Sequence, residues 1–326
     1  MSLEELKGNE AVKTRLRHTL ETGRIGHAYI FEGIRGSGKM MTAKAFAAGI
    51  LHTEHPESHP DFAVVTNQLY DPSKKQENVL VDTIRSMKRD VYIRPYAGER
   101  KVYVVPRADT MQAPAQNSLL KVFEEPPEYC TILLLAENAN AFLPTILSRA
   151  QILRLHPAGR QLTEEYLKEQ KGMDSARAGQ LAVMSGGVIG KAIQLAQDDS
   201  VIALREEAMK KMAAMAEGNA RDLYEFVRFL KQHKADAAFI LEVLLSFSRD
   251  IAHRKLCGNK AEIVNADQAE VIEAFSRRLS RKAAARFCEI TMLYRSMIGQ
   301  NVNYPAAVHC MALEYWEEIH GRNHRS

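Results

Sequence analysis

Gly33-Ile34-Arg35-Gly36-Ser37-Gly38-Lys39-Met40 follows the short apolar run His27-Ala28-Tyr29-Ile30-Phe31 and precedes the alanine-rich segment Lys39 to Leu51. A strand, a glycine-rich turn and a helix in that order place helix N-terminal amides around an anion, with a lysine able to reach it. The stretch therefore predicts a phosphate-binding loop, with Gly33, Gly36, Gly38 and Lys39 as its candidate binding residues. Its last position is the exception. A nucleotide-hydrolysing loop ends in Ser or Thr, whose hydroxyl ligates magnesium, and Met40 supplies no oxygen.

Working outward, the next strand that should carry a metal-binding acid reads Lys101-Val102-Tyr103-Val104-Val105 and continues Pro106-Arg107. A proline and a cation stand where hydrolysis needs a carboxylate to hold magnesium and order water. Asp109 follows around a turn, and a carboxylate displaced that far is expected to point elsewhere. No metal site is expected on this chain, and no stably bound nucleotide. The plainer alternative for the loop is a glycine-rich turn with no ligand.

The runs Phe62-Ala63-Val64-Val65, Val102 to Val105 and Thr131-Ile132-Leu133-Leu134-Leu135-Ala136 are nearly continuous in apolar residues, with a helix expected between the first two over Val79 to Val91. Such strands suit a parallel sheet covered on both faces. Residues 8 to 23 have helical spacing through Val12, Leu16 and Leu20. After Ile152-Leu153-Arg154-Leu155 and the break at His156-Pro157-Ala158-Gly159 no further strand is expected. Short helices are expected from Thr163, over Ser175 to Met184, and over Ala192 to Gln197, with longer ones from Val201 onward. The reading is an α/β P-loop domain over 1–155, a small helical domain over 156–200 and an all-α domain over 201–326.

Bulk properties exclude several classes. Lys and Arg number 44 against 40 Asp and Glu, an excess too small to predict nucleic-acid binding from charge. Cys130, Cys257, Cys288 and Cys310 are widely spaced and form no C-x-x-C pair, so neither a zinc knot nor a disulfide framework is expected. His52, His55 and His59 lie in a proline-containing stretch that reads as a solvated loop rather than a metal site. The first residues lack the apolar stretch of a signal peptide, which predicts a cytoplasmic, soluble protein with no membrane partner.

Two further segments carry a resemblance. Ala115-Gln116-Asn117-Ser118-Leu119-Leu120-Lys121-Val122-Phe123-Glu124-Glu125-Pro126-Pro127 resembles the strongest signature of clamp-loader AAA+ subunits, and Thr145-Ile146-Leu147-Ser148-Arg149-Ala150-Gln151 resembles their serine-arginine-cysteine motif. His59-Pro60-Asp61, Val79 to Arg85, Lys101 to Val105 and Gly187 to Ala192 fall in the order that family shows, and Asn301-Val302-Asn303 matches it weakly. The resemblance implies an AAA+ P-loop domain, a small helical lid and an all-α collar that assembles a hetero-oligomer. It implies partners among the gamma/tau and delta subunits of DNA polymerase III, and a part in loading the sliding clamp on primed DNA during replication. ATP with magnesium would lie at the neighbouring subunit, and Arg149, with Ser148 of the same motif, would reach it in trans as an arginine finger. The bland role for Arg149 is a salt bridge at a helix end.

Several departures bear on that reading. The stretch Leu51 to Ser58 is too short for the cysteine zinc module of many relatives, so zinc is expected to be absent, and Ala150 replaces the usual cysteine. Lys191 stands near where active relatives place an ATP-sensing arginine, but with no metal site it is not assigned that role. Glu124 and Glu125 read as a helix stop, with an i, i+4 ion pair available between Lys121 and Glu125. The competing functional reading is an active P-loop ATPase in which Thr42 or a water replaces the missing ligand. A branch-migration or helicase-loader motor fits less well, because such motors keep the acidic strand end that Pro106-Arg107 replaces, and nothing here resembles a nucleotidyl-transfer site.

Overall fold

The computed structural model describes residues 2–76, 78–258, 263–298 and 302–320. They form two compact units, one of Met1–Ala178 with Ser185–Ile193, the other of Gly179–Met184 with Gln194–Ser326. Residues 156–200 contribute to both. Asn301 of the weakly matching Asn-Val-Asn segment lies outside the described residues.

The first unit is built on five parallel strands, β1 (Ala28–Glu32), β2 (Phe62–Val64), β3 (Lys101–Val105), β4 (Cys130–Ala136) and β5 (Gln151–Arg154), in the order β2-β3-β4-β1-β5. The central strands β1, β3 and β4 are buried almost throughout, and their side chains alternate between two cores. Ile30, Tyr103, Val105, Ile132 and Leu134 face one of them, with Ile84, Met87, Leu119 and Val122. Tyr29, Phe31, Val102, Val104, Leu133 and Leu135 face the other, with Leu16, Phe46 and Ile50. The covering helices are α1 (Glu10–Thr22), α2 (Lys39–Leu51), α3 (Asn67–Tyr70), α4 (Val81–Val91), α5 (Ala113–Glu124) and α6 (Pro144–Leu147). This is the α/β sheet domain that the apolar runs predict. Helix α4 begins two residues later than its periodicity suggests. Asn67 explains the delay, because its buried amide accepts from Leu80 N and from the Thr83 hydroxyl while donating to Gln76 O and Asn78 O, which keeps the chain extended up to Leu80.

From residue 156 onward the described chain is helical. Helices α7 (Arg160–Lys171), α8 (Ser175–Met184) and α9 (Ile189–Ala196) are followed by α10 (Asp199–Glu217), α11 (Ala220–Gln232), α12 (Ala237–Cys257), α13 (Ala269–Arg278), α14 (Arg281–Ile298) and α15 (Tyr304–His320). The last six enclose a core in which Phe287 stacks on Tyr315, with ring centroids 4.6 Å apart, and Phe275 meets Phe287 edge-on. Beside it lies a buried polar knot. Arg205 of α10 donates to both oxygens of Asp267 (2.7 and 2.9 Å) and to Asn265 Oδ1 (2.8 Å), while Asp250 of α12 accepts from Val264 N, Asn265 N and Asn265 Nδ2. Among the described residues no helix is long and apolar enough to cross a membrane.

The His-Pro-Asp segment has a structural use. Asp61 is buried and its carboxylate accepts from Tyr96 N (2.6 Å) and Ala97 N (2.8 Å), tying the loop before β3 to the start of β2. His59 Nδ1 accepts from Asp61 N in turn (3.1 Å). Asp61→Ala leaves two amides without their acceptor. It should cost about 1–3 kcal/mol and speed hydrogen exchange at Tyr96 and Ala97; unchanged exchange there would refute this role.

Candidate functional site

The phosphate-type loop runs from the end of β1 into α2. Gly33 N donates to Ala136 O at the end of β4 (3.0 Å), and Gly36 and Gly38 take φ of 84° and 90°, a region that side-chain-bearing residues avoid. At Gly36 a Cβ would also come within 2.9 Å of Lys191 N, and one at Gly190 would lie 2.6 Å from Gly36 O. Gly190 N donates to that same oxygen (3.2 Å), so the outer turn of the loop rests on the first turn of α9.

Lys39 folds onto its own loop. Its Nζ donates to Gly33 O (2.5 Å) and Ile34 O (3.0 Å), the span where phosphate oxygens would lie in an occupied loop. Burial holds the Lys39 pKa down, opposed by the charges of Glu137 and Asp109. Those two acids share with Lys39 a cleft of about 840 Å³, which Arg107 and Thr66 also line. The expectation that Asp109 points elsewhere is therefore corrected: it faces the cleft. Its Oδ2 is engaged by Glu137 N (2.9 Å), because the turn at Arg107, with φ of 51°, swings the chain back toward the end of β4. Glu137 escaped the sequence reading, although its place just beyond a fully buried strand is a signal for it.

Met40, half-buried, packs against the apolar cluster around Phe46 and Leu16 and also lines the cleft. Thr42, the conceivable substitute ligand, is buried and donates its hydroxyl to Gly38 O (3.0 Å). It lines a separate cavity of about 120 Å³, with Leu6, Val12 and Tyr166, and not the cleft that holds the acids. The chain thus brings Gly33, Gly36, Gly38 and Lys39 together as a loop while leaving the acids and this nearby hydroxyl in different cavities. Among the described residues no group of three or more His, Cys, Asp or Glu is placed to hold a metal ion.

Arg149 sits just past α6, two residues before β5. Gln116 of α5 fixes that helix. Its buried amide donates to Ala141 O and Met111 O (both 2.9 Å) and accepts from Leu143 N (2.8 Å), the residue that caps α6. Arg149 Nη1 donates to Thr145 O (3.1 Å) and to Ser148 Oγ (3.3 Å), and Nη2 lies 3.5 Å from Glu124 Oε1. The side chain keeps 36% of its surface exposed. Glu125 has left the helix, with φ −128° and ψ 64°, and among the described residues no ion pair joins it to Lys121. The i, i+4 pair open to Lys121 is thus not formed, because α5 ends one residue too early for it. Glu124 meets Arg149 instead, so two segments singled out separately in the sequence converge on one side chain.

Comparison with known proteins identifies the family of the chain. The model for "DNA polymerase III, delta subunit" matches residues 8–159, and the model for that subunit's C-terminal region matches residues 200–304. The chain belongs to the DNA polymerase III delta and delta-prime family of clamp-loader subunits. It is 26% identical to the DNA polymerase III subunit delta' of Bacillus subtilis over 88% of this chain and 90% of that protein. It is also 26% identical to the tau subunit of the same organism over 87% of this chain, spanning 55% of that longer protein. A gamma subunit-related protein of Thermotoga maritima superimposes over 93% of this chain and 99% of its own, with a TM-score of 0.45 and 19% identity. In this family's terms, the loop and Arg149 both lie in the segment matched by the first model.

Proposed function

We propose that this clamp-loader subunit is the delta-prime member of its complex: it hydrolyses no ATP itself and completes a neighbour's ATP site with Arg149. The contrast between its two sites carries this reading. The loop meets its own needs, with Lys39 held by loop carbonyls and no oxygen in the side chain at residue 40. Arg149 is partly exposed and tied by contacts of the kind that exchange readily, namely a long ion pair and two neutral acceptors. A guanidinium so presented suits a phosphate arriving from another protomer, where an arginine supplied in trans stabilises charge on the transferring group. Ser148 steadies it by accepting from Nη1. On this reading ATP and magnesium lie at the neighbouring subunit, the partners are gamma/tau and delta, the sliding clamp and primed DNA are met through the complex, and the work is done in the cytoplasm without zinc.

The reading of an ATPase rescued by Thr42 gains no support from a buried hydroxyl bonded to Gly38 O in a cavity apart from the acids. Purified chain should show no magnesium-dependent ATP turnover above a buffer blank, yet co-elute with gamma/tau and delta in a stoichiometric assembly on size-exclusion chromatography. Turnover by the chain alone would remove the first half of the proposal, and failure to co-elute the second.

A further inference from the structure

Two consecutive acids stand at the end of α5, and they fare differently. Pro126 and Pro127 follow them, and a proline disfavours helical angles in the residue before it. Glu125 accordingly leaves the helix, while Glu124 stays as its last residue, held in place by the buried Val122 and Phe123 that precede it. The Glu124 carboxylate faces Arg149, with Oε1 3.5 Å from Nη2. That is longer than the about 2.7–2.9 Å of a close charge-assisted hydrogen bond, and the Glu124 and Arg149 side chains keep 52% and 36% of their surface exposed. Nη1 donates separately, to Thr145 O and Ser148 Oγ.

The two ends of the guanidinium thus carry different kinds of contact. The neutral acceptors on Nη1 come from within four residues of Arg149 and set the direction of the side chain. The carboxylate on Nη2 adds charge with little direction, because one long contact between partly exposed groups constrains a guanidinium weakly. An anion with more charge and more oxygens displaces it. We propose that Glu124 is the resting counter-ion of Arg149: it neutralises the guanidinium in the free subunit and yields it to the terminal phosphate of ATP on the neighbouring protomer, so that a carboxylate and a phosphate compete for one cation. The proposal rests on the in-trans role of Arg149 given above. The competition opposes engagement twice, since the pair with Glu124 must open and the carboxylate left behind then faces a phosphate of like charge. Glu124 therefore raises the ATP concentration at which the facing site fills with its arginine in place, and it takes no part in the reacting geometry.

Replacing each acid by its neutral isostere separates the pair from the motif around it. Glu124→Gln and Glu125→Gln chains, each alone and combined with Arg149→Ala, are assembled with gamma/tau and delta, and single-turnover phosphate release at the facing site is followed against ATP concentration. Glu124→Gln should lower the half-saturating ATP concentration about two- to fivefold, the worth of one partly exposed ion pair, and leave the maximal rate unchanged. Glu125→Gln should change neither quantity, and Glu124→Gln should have no effect once residue 149 is alanine. A half-saturating concentration unmoved by Glu124→Gln, an equal shift with Glu125→Gln, or a shift that persists beside Arg149→Ala overturns the proposal. So does a lower maximal rate in Glu124→Gln, which would make Glu124 a positioning residue rather than a competitor. If Arg149→Ala alone leaves release unchanged, the in-trans reading fails and the proposal with it; if Arg149→Ala slows release while Glu124→Gln is silent, the in-trans reading stands and the counter-ion role does not.

Discussion

Arg149→Ala in the assembled complex should slow the ATP site that faces this chain by about 10³-fold or more, the range observed for arginines supplied in trans. The isolated chain should remain folded, because the substitution removes an ion pair between partly exposed side chains and hydrogen bonds to Thr145 O and Ser148 Oγ. Pairs of that kind contribute about 0–1 kcal/mol. The catalytic effect and the structural effect therefore differ by several kcal/mol, and the two roles weighed for Arg149 separate cleanly. Single-turnover phosphate release reports the facing site, and thermal melting of the free chain reports the fold. Arg149→Lys should recover little, since an ammonium cannot present the planar fork that meets two phosphate oxygens at once. Normal phosphate release by Arg149→Ala would show that the guanidinium serves only the salt bridge to Glu124.

The largest effect on stability is expected at Arg205→Ala in the helical unit. Arg205 is 1% exposed and bridges α10 to the segment before α13 through Asp267 and Asn265. Removing one member of a buried pair strands the other charge, at a cost of about 3–5 kcal/mol, a large part of a typical domain's stability of about 5–15 kcal/mol. Trp316 is the chain's single tryptophan and packs against the core of this unit, so its fluorescence in a urea titration follows this unit alone. Burial pushes the Asp267 carboxyl up, but the hydrogen bond and charge of Arg205 outweigh it and hold the group below its usual range. A depressed carboxylate contributes stability in full above its unfolded pKa, about 3.9, and loses it as pH falls through the lower folded value. In Arg205→Ala the burial is opposed only by the hydrogen bonds from the Gln268 side chain and the Asp267 main chain, so the dependence should flatten. A midpoint unmoved by the substitution would exclude this account.

How much of this was legible beforehand depends on the range over which each interaction acts. The central strands and α2 announce themselves because burial on both faces demands unbroken apolar runs, and Gly36 and Gly38 because only glycine takes their φ without strain. The loop and the Ser148-Arg149 pair are likewise local. What escaped were the long-range pairings. Glu124 and Arg149 are 25 positions apart, and nothing in their spacing foretells that the end of α5 meets the segment between α6 and β5. Asp109 departs from its expected place for the same reason: whether a turn carries a carboxylate toward or away from a cleft is settled by backbone angles at Arg107, and an arginine in the left-handed region is not announced by its letter.

On the proposed reading, Met40 has a consequence for any attempt to build ATP hydrolysis into this loop. Its side chain has been taken into the same packing that secures α2 beneath the sheet, and the amine of Lys39 has been drawn into the loop's own carbonyls. Returning a hydroxyl to residue 40 would loosen that packing before it attracted a cation, and the strand end would still read Pro106-Arg107, with the nearby Asp109 already engaged by Glu137 N. On the proposed reading, any gain of hydrolysis at this loop therefore begins with a loss of packing at the first step.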